Sequence, residues 1–553
     1  MKTRLAPALA PVAAGLLLAC SATGRSAEPA ITAEGIARHL AVLADDSLAG
    51  RGTGQPGYRQ AAAYVADQFR AIGLEPGGVD GSYFQPIRFR ESALAPGGAS
   101  VALGGGRAGR LTPGADFVAS PSLRDSVLEL TGPVVFVGFG VSAPELGYDD
   151  YADLDVKGKV VAVLFGGPPS LPPNPRAHLS GAEKLEVAAR RGAAGMIALW
   201  SPDQERAGMA WSFVERLSYR SQMSWLEPDG SPPADRPAIP TGATLSPAAS
   251  AGLFDGAPTT FAAALEAARA GRPLAVELPV SVRVSQRSTW HEVEASNVIA
   301  RLPGSDPALA DEYVVFTAHL DHDGIGPAIA GDSIYNGAID NAAGVAALLE
   351  IARAFAMERP RPKRSLLFIA TAAEEKGLLG ADYFTSHPTV PIGSIVADLN
   401  MDGNHLLFPT RSIVALGAEM SSLGDDAAAA AAATGLELET ELMPEQAFFV
   451  RSDQYPFVKK GVPSLFFING TESSDSTIDG PAVLSTWLAT VYHTPKDDLD
   501  QAMDYLSGAR YAEVVFRVGA RVANAPTRPS WTPGDFFGER FGKGRSTPPT
   551  QNR

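Results

Sequence analysis

Five side chains suited to divalent metals, His319, Asp340, Glu375, Asp402 and His493, fall at the ends of expected strands or at the start of an expected helix. A second carboxylate, Glu374, directly precedes one of them. Two histidines and three carboxylates can hold a pair of divalent cations, and the spare glutamate can then manage the proton of a water activated between them. That is hydrolytic chemistry. Taken singly, each residue has a duller explanation: Asp340 suits a helix N-cap, Glu374-Glu375 suits the first turn of a following helix, and a histidine beside an acidic turn is ordinary surface. Among 61 acidic residues the argument rests on their joint order.

The elements that must position them are written as apolar runs. Residues 313–317, 366–371, 395–399 and 464–468 read as buried strands, as a sheet covered on both faces requires. Helical patterns cover 344–356, 425–433 and 511–522. In such sheets ligands gather beyond the carboxyl ends of the strands. The first run delivers His319, and Asp321 lies two residues on, where its carboxylate can accept the other imidazole N–H. His322 and Asp323 gain no shared role from their spacing and read as loop residues. The second run ends in Glu374-Glu375, and two neighbouring carboxylates there must point different ways. The third delivers Asp402, and Tyr492-His493-Thr494-Pro495 closes a later segment with Asp497 and Asp498 behind it. His39, His178, His291, His387 and His405 lack any such pattern and read as surface or structural.

Upstream, Ile36, Leu40 and Leu43 recur at helical spacing, and Ala61, Val65, Phe69 and Ile72 mark a second helix that Gly73 closes. A strand-like segment covers 83–89. From residue 92 the texture becomes short β-like runs (133–137, 160–165, 196–199) and one helix bearing Ala182, Leu185 and Ala189, as expected of an inserted module. The organisation expected is an export signal over 1–19, a tether over 20–30, the first part of the main domain over 31–91, the insertion over 92–289, the main domain over 290–526, and a Pro/Gly-rich tail over 527–553 that lies on the surface or frays.

A hydrophobic content of 45% with 19% charged residues is that of a globular protein,. The formal charge of −15 argues against nucleic acid as a partner,. Cys20 is the only cysteine. The chain can therefore form no internal disulfide or thiolate metal site, and any metal must be held by nitrogen and oxygen. Lys2 and Arg4 precede an apolar stretch over 5–19, too short to span a bilayer and typical of an export signal. Its ending, Leu17-Leu18-Ala19-Cys20, resembles a bacterial lipobox with Cys20 as the lipidated residue; a plain secretory signal cleaved near Ala27 is the alternative. The expected location is the periplasmic face of a bacterial membrane, or the exterior. Gly138-Phe139-Gly140 follows a strand, but Pro144 stands where a phosphate-binding helix should begin, which excludes a dinucleotide site.

Ala318-His319-Leu320-Asp321, Asn336-Gly337-Ala338-Ile339-Asp340-Asn341, Ala373-Glu374-Glu375, Asn400-Met401-Asp402 and Tyr492-His493-Thr494-Pro495 resemble the motifs of the co-catalytic di-zinc exopeptidases: bacterial secreted aminopeptidases, aminopeptidase Y and the glutamate carboxypeptidases. Leu48-Ala49-Gly50-Arg51-Gly52-Thr53-Gly54 and Arg451-Ser452-Asp453 match as well. Tyr148-Asp149-Asp150-Tyr151, residues 157–161 and residues 188–197 resemble a protease-associated domain. The resemblance implies an α/β fold, with a mixed, largely parallel sheet flanked by helices and a β-rich insertion. It implies two Zn2+, the first on His319 and Asp402, the second on Glu375 and His493, with Asp340 bridging. Glu374 would be general base and then acid, Tyr492 would stabilise the oxyanion, Asp321 would orient His319, and Arg451 would shape the substrate pocket. Gln454 stands where relatives often carry histidine, which touches pocket details and no metal ligand. The implied activity is removal of N-terminal residues from peptides. A carboxypeptidase is the nearest alternative, although it needs cations for a substrate carboxylate and only Arg451 is near the motifs. A receptor-like homologue without activity is a further alternative, disfavoured by the complete ligand set. Oligomeric state is left open.

Overall fold

The computed structural model describes residues 31–544, apart from 106–107, 153, 208, 219–220 and 234–238. The expected export signal and tether, and Cys20 with them, lie outside the described residues. Two helices come first, α1 (Ala33–Leu43) and α2 (Pro56–Ile72). The expected apolar stripes are their buried faces, and Gly73 ends α2 in the left-handed region at φ +87°,.

The strands that matter here are β1 (Phe84–Gly105), β2 (Val127–Val137), β3 (Val160–Leu164), β4 (Gly195–Leu199), β5 (Thr241–Leu245), β6 (Ala275–Leu302), β7 (Tyr313–His319), β8 (Ser365–Thr371), β9 (Ile395–Met401), β10 (Ser412–Leu416) and β11 (Ser464–Asn469). The helices that follow are α3 (Ala343–Met357), α4 (Gly480–Thr490), α5 (Tyr505–Asn524) and α6 (Phe536–Phe541). Along one sheet the order is β10-β11-β9-β7-β8-β6-β2-β3-β4-β5. β7 runs parallel to β8 and β9, and β9 parallel to β11, whereas β6 and β10 are antiparallel to their neighbours β8 and β11. The result is a mixed, largely parallel sheet with helices against it.

Every residue of β7, β8 and β9 is buried. Val314 and Phe316 pack toward α1, α3 and α5, while Tyr313 and Val315 pack on the opposite face with Ile369, Phe384 and Phe457. Both faces are covered, so the strands are mostly apolar, and the buried Asp398 and Asn400 of β9 lie within hydrogen-bond reach of the Thr317 hydroxyl,. Phe316 stacks on Phe368 at 5.1 Å between ring centres, and truncating either ring to alanine would cost about 3–5 kcal/mol,.

Residues between β1 and β6 close a core of their own around Leu130, Phe136, Ala162, Ile197 and Phe254. This region is not hung on a flexible joint. β1 and β6 pair antiparallel from Phe84 opposite Val298 to Gly105 opposite Val280, with one register shift between Gln286 and Ser288, so the same strand pair links both cores. Residues 527–544, part of the segment expected on the surface or frayed, are anchored. Phe537 is buried, and the Trp531 indole N–H donates to the Gly461 carbonyl at 3.0 Å. Among the described residues no helix is long and apolar enough to cross a membrane.

Candidate metal centre

β7 ends on His319, and its Nε2 lies 3.2 Å from Asp340 Oδ1 and 3.1 Å from Asp402 Oδ1. The other oxygen of Asp340 lies 3.0 Å from His493 Nε2, which in turn lies 3.4 Å from Glu375 Oε1. Asp340 thus presents one oxygen to each of two clusters. All five predicted ligands converge, from the ends of β7, β8 and β9, the turn before α3 and the turn after α4. His319, Glu374 and Glu375 also bring ligand atoms within 4.8 Å of one another.

Local chain geometry explains the aim of these side chains. Asp340 is not the N-cap of α3. It sits in a wide turn, Ala338–Ala342, with φ −109° and ψ 94°, and the capping contact falls to Asn341, whose Oδ1 accepts the Gly344 N–H at 3.0 Å. The helix after Glu375 begins only at Leu379, so the two glutamates lie in a turn and not in a first helical turn. Ala373 enters that turn at φ +56°, and His493 sits at φ +54°. Left-handed backbone at non-glycine residues costs about 1–2 kcal/mol and is commonly held where a side chain must be aimed.

A second set of residues fixes the first. Asp321 Oδ1 accepts the Glu374 main-chain N–H at 3.0 Å, and its Oδ2 accepts the Thr53 hydroxyl at 3.0 Å. Its main-chain carbonyl, not its carboxylate, lies 3.1 Å from His319 Nδ1. The expected carboxylate–imidazole contact is therefore replaced, because the side chain is committed to the neighbouring strand end. Ser452 donates its hydroxyl to Asp402 Oδ2 at 2.6 Å and accepts from Asn400 Nδ2 at 2.8 Å. Gln454 Oε1 accepts from that same Asn400 amide at 2.8 Å. Asp497 accepts the main-chain N–H groups of Ile339 and Asp340 at 2.9 and 3.0 Å. Arg51 is fully buried without a carboxylate partner; its guanidinium donates to the carbonyls of Leu320, Gly337, Leu43 and Asn336, tying the β7 end to the loop before Asp340.

Two expected residues need separate statement. The Tyr492 ring stacks on His493 with centroids 3.9 Å apart. Burial, with the charges of Asp340 and Glu375, pushes its phenol well up, so the hydroxyl keeps its proton and can donate. Arg451 is exposed, with its guanidinium 5.3 Å from the Phe448 ring centre, and contributes nothing to the metal cluster among the described residues. His322, assigned by spacing to a loop, is buried with Nδ1 2.8 Å from Glu375 Oε1.

The electrostatics call for cations. Burial drives the Glu374 carboxyl well above the ordinary range; His319 opposes this while Asp402 and Glu375 reinforce it. Burial would depress the His319 imidazole, but the charges of Asp402 and Glu374 lift it far above its usual value. His493 resists burial through Asp340 and Glu375 and is raised to about 9. Without metal, the site gathers protons to offset four crowded carboxylates. Divalent cations bound there would supply that charge directly. Asp340 Oδ2 and His493 Nε2 are buried without a hydrogen-bond partner although only 3.0 Å apart, so their lone pairs face shared space and not one another. Nitrogen and oxygen donors alone fit zinc, and also manganese or cobalt. The residues present fit a metal pair.

Residues 297–518, which include all five ligands and Glu374, match the profile of peptidase family M28. The chain is similar to this family over those residues. A probable zinc metalloprotease of Pyrenophora tritici-repentis is 28% identical over 269 residues, 43% of this chain and 59% of that protein, so the chain spans about three fifths of this relative's length. Aminopeptidase NAALADL1 of Mus musculus is 34% identical over 109 residues, 19% of this chain and 13% of that one. Among solved structures, the aminopeptidase from Aneurinibacillus sp. strain AM-1 aligns with a TM-score of 0.49 at 20% identity, covering 90% of this chain and 95% of that chain. His319, Glu374, Glu375 and Asp402 lie at or just beyond strand ends, whereas Asp340 and His493 lie in turns. Thr53, Ser452 and Asp497 make their contacts from far along the chain; the quoted motifs around Thr53 and Ser452 and the acidic pair behind His493 hinted at all three without naming a partner.

Proposed function

We propose that this protein is a zinc-dependent aminopeptidase that removes N-terminal residues from peptides. The observation that carries the reading is the bridging position of Asp340 between His319 and His493, with Glu374 beside them and outside their ion pairs. His319 and Asp402 would hold one ion, Glu375 and His493 the other, and Asp340 both. Bound there, two zinc ions would polarise the scissile carbonyl and acidify the attacking water. Glu374 takes the proton of that water and returns it to the leaving amine, a transfer worth roughly 10²–10⁴ in rate. Tyr492 offers its hydroxyl to the developing oxyanion. Asp321 positions Glu374 and, through its carbonyl, His319. Arg451 borders the substrate approach.

The crowding of carboxylates favours a substrate ammonium over a substrate carboxylate. Of the nearby cations, Arg51 is spent on carbonyls and Lys376 faces Asp323 at 3.7 Å. Residues 92–289 form a protease-associated insertion, and residues 1–19 export the chain, with Cys20 as the lipid attachment point. The test combines zinc content per chain with turnover of aminoacyl and N-blocked peptides. Two zinc ions and hydrolysis of free-amine substrates are expected. Turnover of N-blocked peptides alone would move the assignment to a carboxypeptidase.

A further inference from the structure

His322 follows His319 by three residues, yet it enters the same site from another side. It is wholly buried, Nδ1 is 2.8 Å from Glu375 Oε1 and 3.9 Å from Asp340 Oδ2, and its ring meets that of His493 edge-on at 5.4 Å between centres. The ring is seated on Gly337, where a Cβ would come within 2.5 Å of His322 Cγ. No residue larger than glycine leaves room for it.

We propose that His322 is a positioning residue that donates its Nδ1–H to Glu375 and so sets the orientation of this carboxylate toward the second metal. The inference rests on the metal-centre reading above and deepens it. Two considerations separate this role from direct ligation. The first is distance. Atoms sharing one zinc at about 2.0–2.1 Å in a tetrahedral arrangement stand roughly 3.3–3.4 Å apart. The pairs His319–Asp340, His319–Asp402, His493–Asp340 and His493–Glu375 stand at 3.2, 3.1, 3.0 and 3.4 Å, whereas His322–Glu375 at 2.8 Å has the spacing of a charge-assisted hydrogen bond,.

The second is the tautomer. His322 Nε2 is buried with no hydrogen-bond partner. Were Nδ1 bound to a metal, Nε2 would carry a hydrogen with nothing to accept it, and orphaned buried N–H groups are rare in native folds. With the hydrogen on Nδ1, Nε2 presents only a lone pair, the milder defect. Hydrogen bonds of this kind to a ligating carboxylate orient it and tune the metal's affinity.

The test uses the full chain, stripped of metal and titrated with Zn2+ against a chelating dye, with Co2+ absorption as an independent reading of the second ion. His322→Ala removes the donor. His322→Asn places an amide N–H close to the Nδ1 position but offers no imidazole ligand. The wild type should bind two equivalents. In His322→Ala the second equivalent should weaken by about 10–100-fold with the first unchanged, and His322→Asn should restore most of that loss. A wild-type second affinity in His322→Ala would overturn the proposal. So would His322→Asn losing the second ion, which would mark the imidazole as a ligand; this variant keeps the test decisive if the alanine chain fails to fold. Fewer than two ions on the wild type would instead sink the metal-centre reading itself.

Discussion

Asp321 holds Glu374 by its main chain, accepting that N–H on Oδ1 at 3.0 Å. One residue therefore links the end of β7, which carries His319, to the turn after β8, which carries Glu374. Because the contact to His319 Nδ1 comes from the Asp321 carbonyl, it survives removal of the side chain. Asp321→Ala should thus lower kcat by roughly 10–100-fold while leaving zinc content close to wild type. Parallel measurement of kcat and bound zinc checks this, and zinc loss preceding activity loss would reassign the carboxylate to ligand support.

Glu374→Gln should retain both ions and lose activity by about 10²–10⁴, since the amide keeps the shape but cannot accept the water's proton. Zinc analysis and single-turnover rates on one aminoacyl substrate suffice. Unchanged turnover would remove Glu374 from the chemistry.

Ser452 is the hydroxyl that holds Asp402, at 2.6 Å, and is itself held by Asn400. Ser452→Ala should weaken the ion shared by His319 and Asp402 by about tenfold or more, with the ion on Glu375 and His493 unaffected. Stepwise zinc titration resolves the two. Equal weakening of both would show that the hydroxyl acts on the whole centre and not on Asp402.

What the chain reveals in advance follows a physical line. His319, Glu374, Glu375 and Asp402 stand at the ends of largely apolar strands, so locating the strands locates these side chains. Asp340 and His493 lie in turns, and only the family's motifs assign them. Residues that work by reaching across the fold can fall in a visible motif, but the sequence is silent on their partners. Thr53 finds Asp321 from 268 positions away, and Asp497 finds Ile339 from 158. His322 reads as a loop residue because its partner Glu375 belongs to another strand end. Arg451 is the converse case: it sits beside Ser452 in a familiar motif, yet the neighbour makes the contact. The pairing of β1 with β6 through both cores is likewise invisible to composition, which registers the change of texture at residue 92 but not that one strand pair spans it.

The C-terminal segment makes the last prediction. His178, from the insertion, sits among the rings of Tyr455, Phe536, Phe537 and Phe541, with its Nδ1 hydrogen-bonded to the Tyr455 hydroxyl. Burial, then the Arg540 charge, lower this imidazole from 6.5 to about 4; Glu183 opposes them and Lys459 adds to them. The folded state keeps it neutral where the unfolded chain would protonate it. Between pH 6.5 and 4 the unfolded state therefore binds more protons, and stability is full above that window and lost as pH falls through it. The shift corresponds to at most about 3 kcal/mol. Unfolding midpoints measured from pH 7 to 4 should fall more steeply for the wild type than for His178→Gln, which has no proton to gain. Limited proteolysis should release the segment after residue 526 earlier at pH 5 than at pH 7 in the wild type. Parallel pH profiles for the two chains would exclude His178 as the titrating group that loosens this contact.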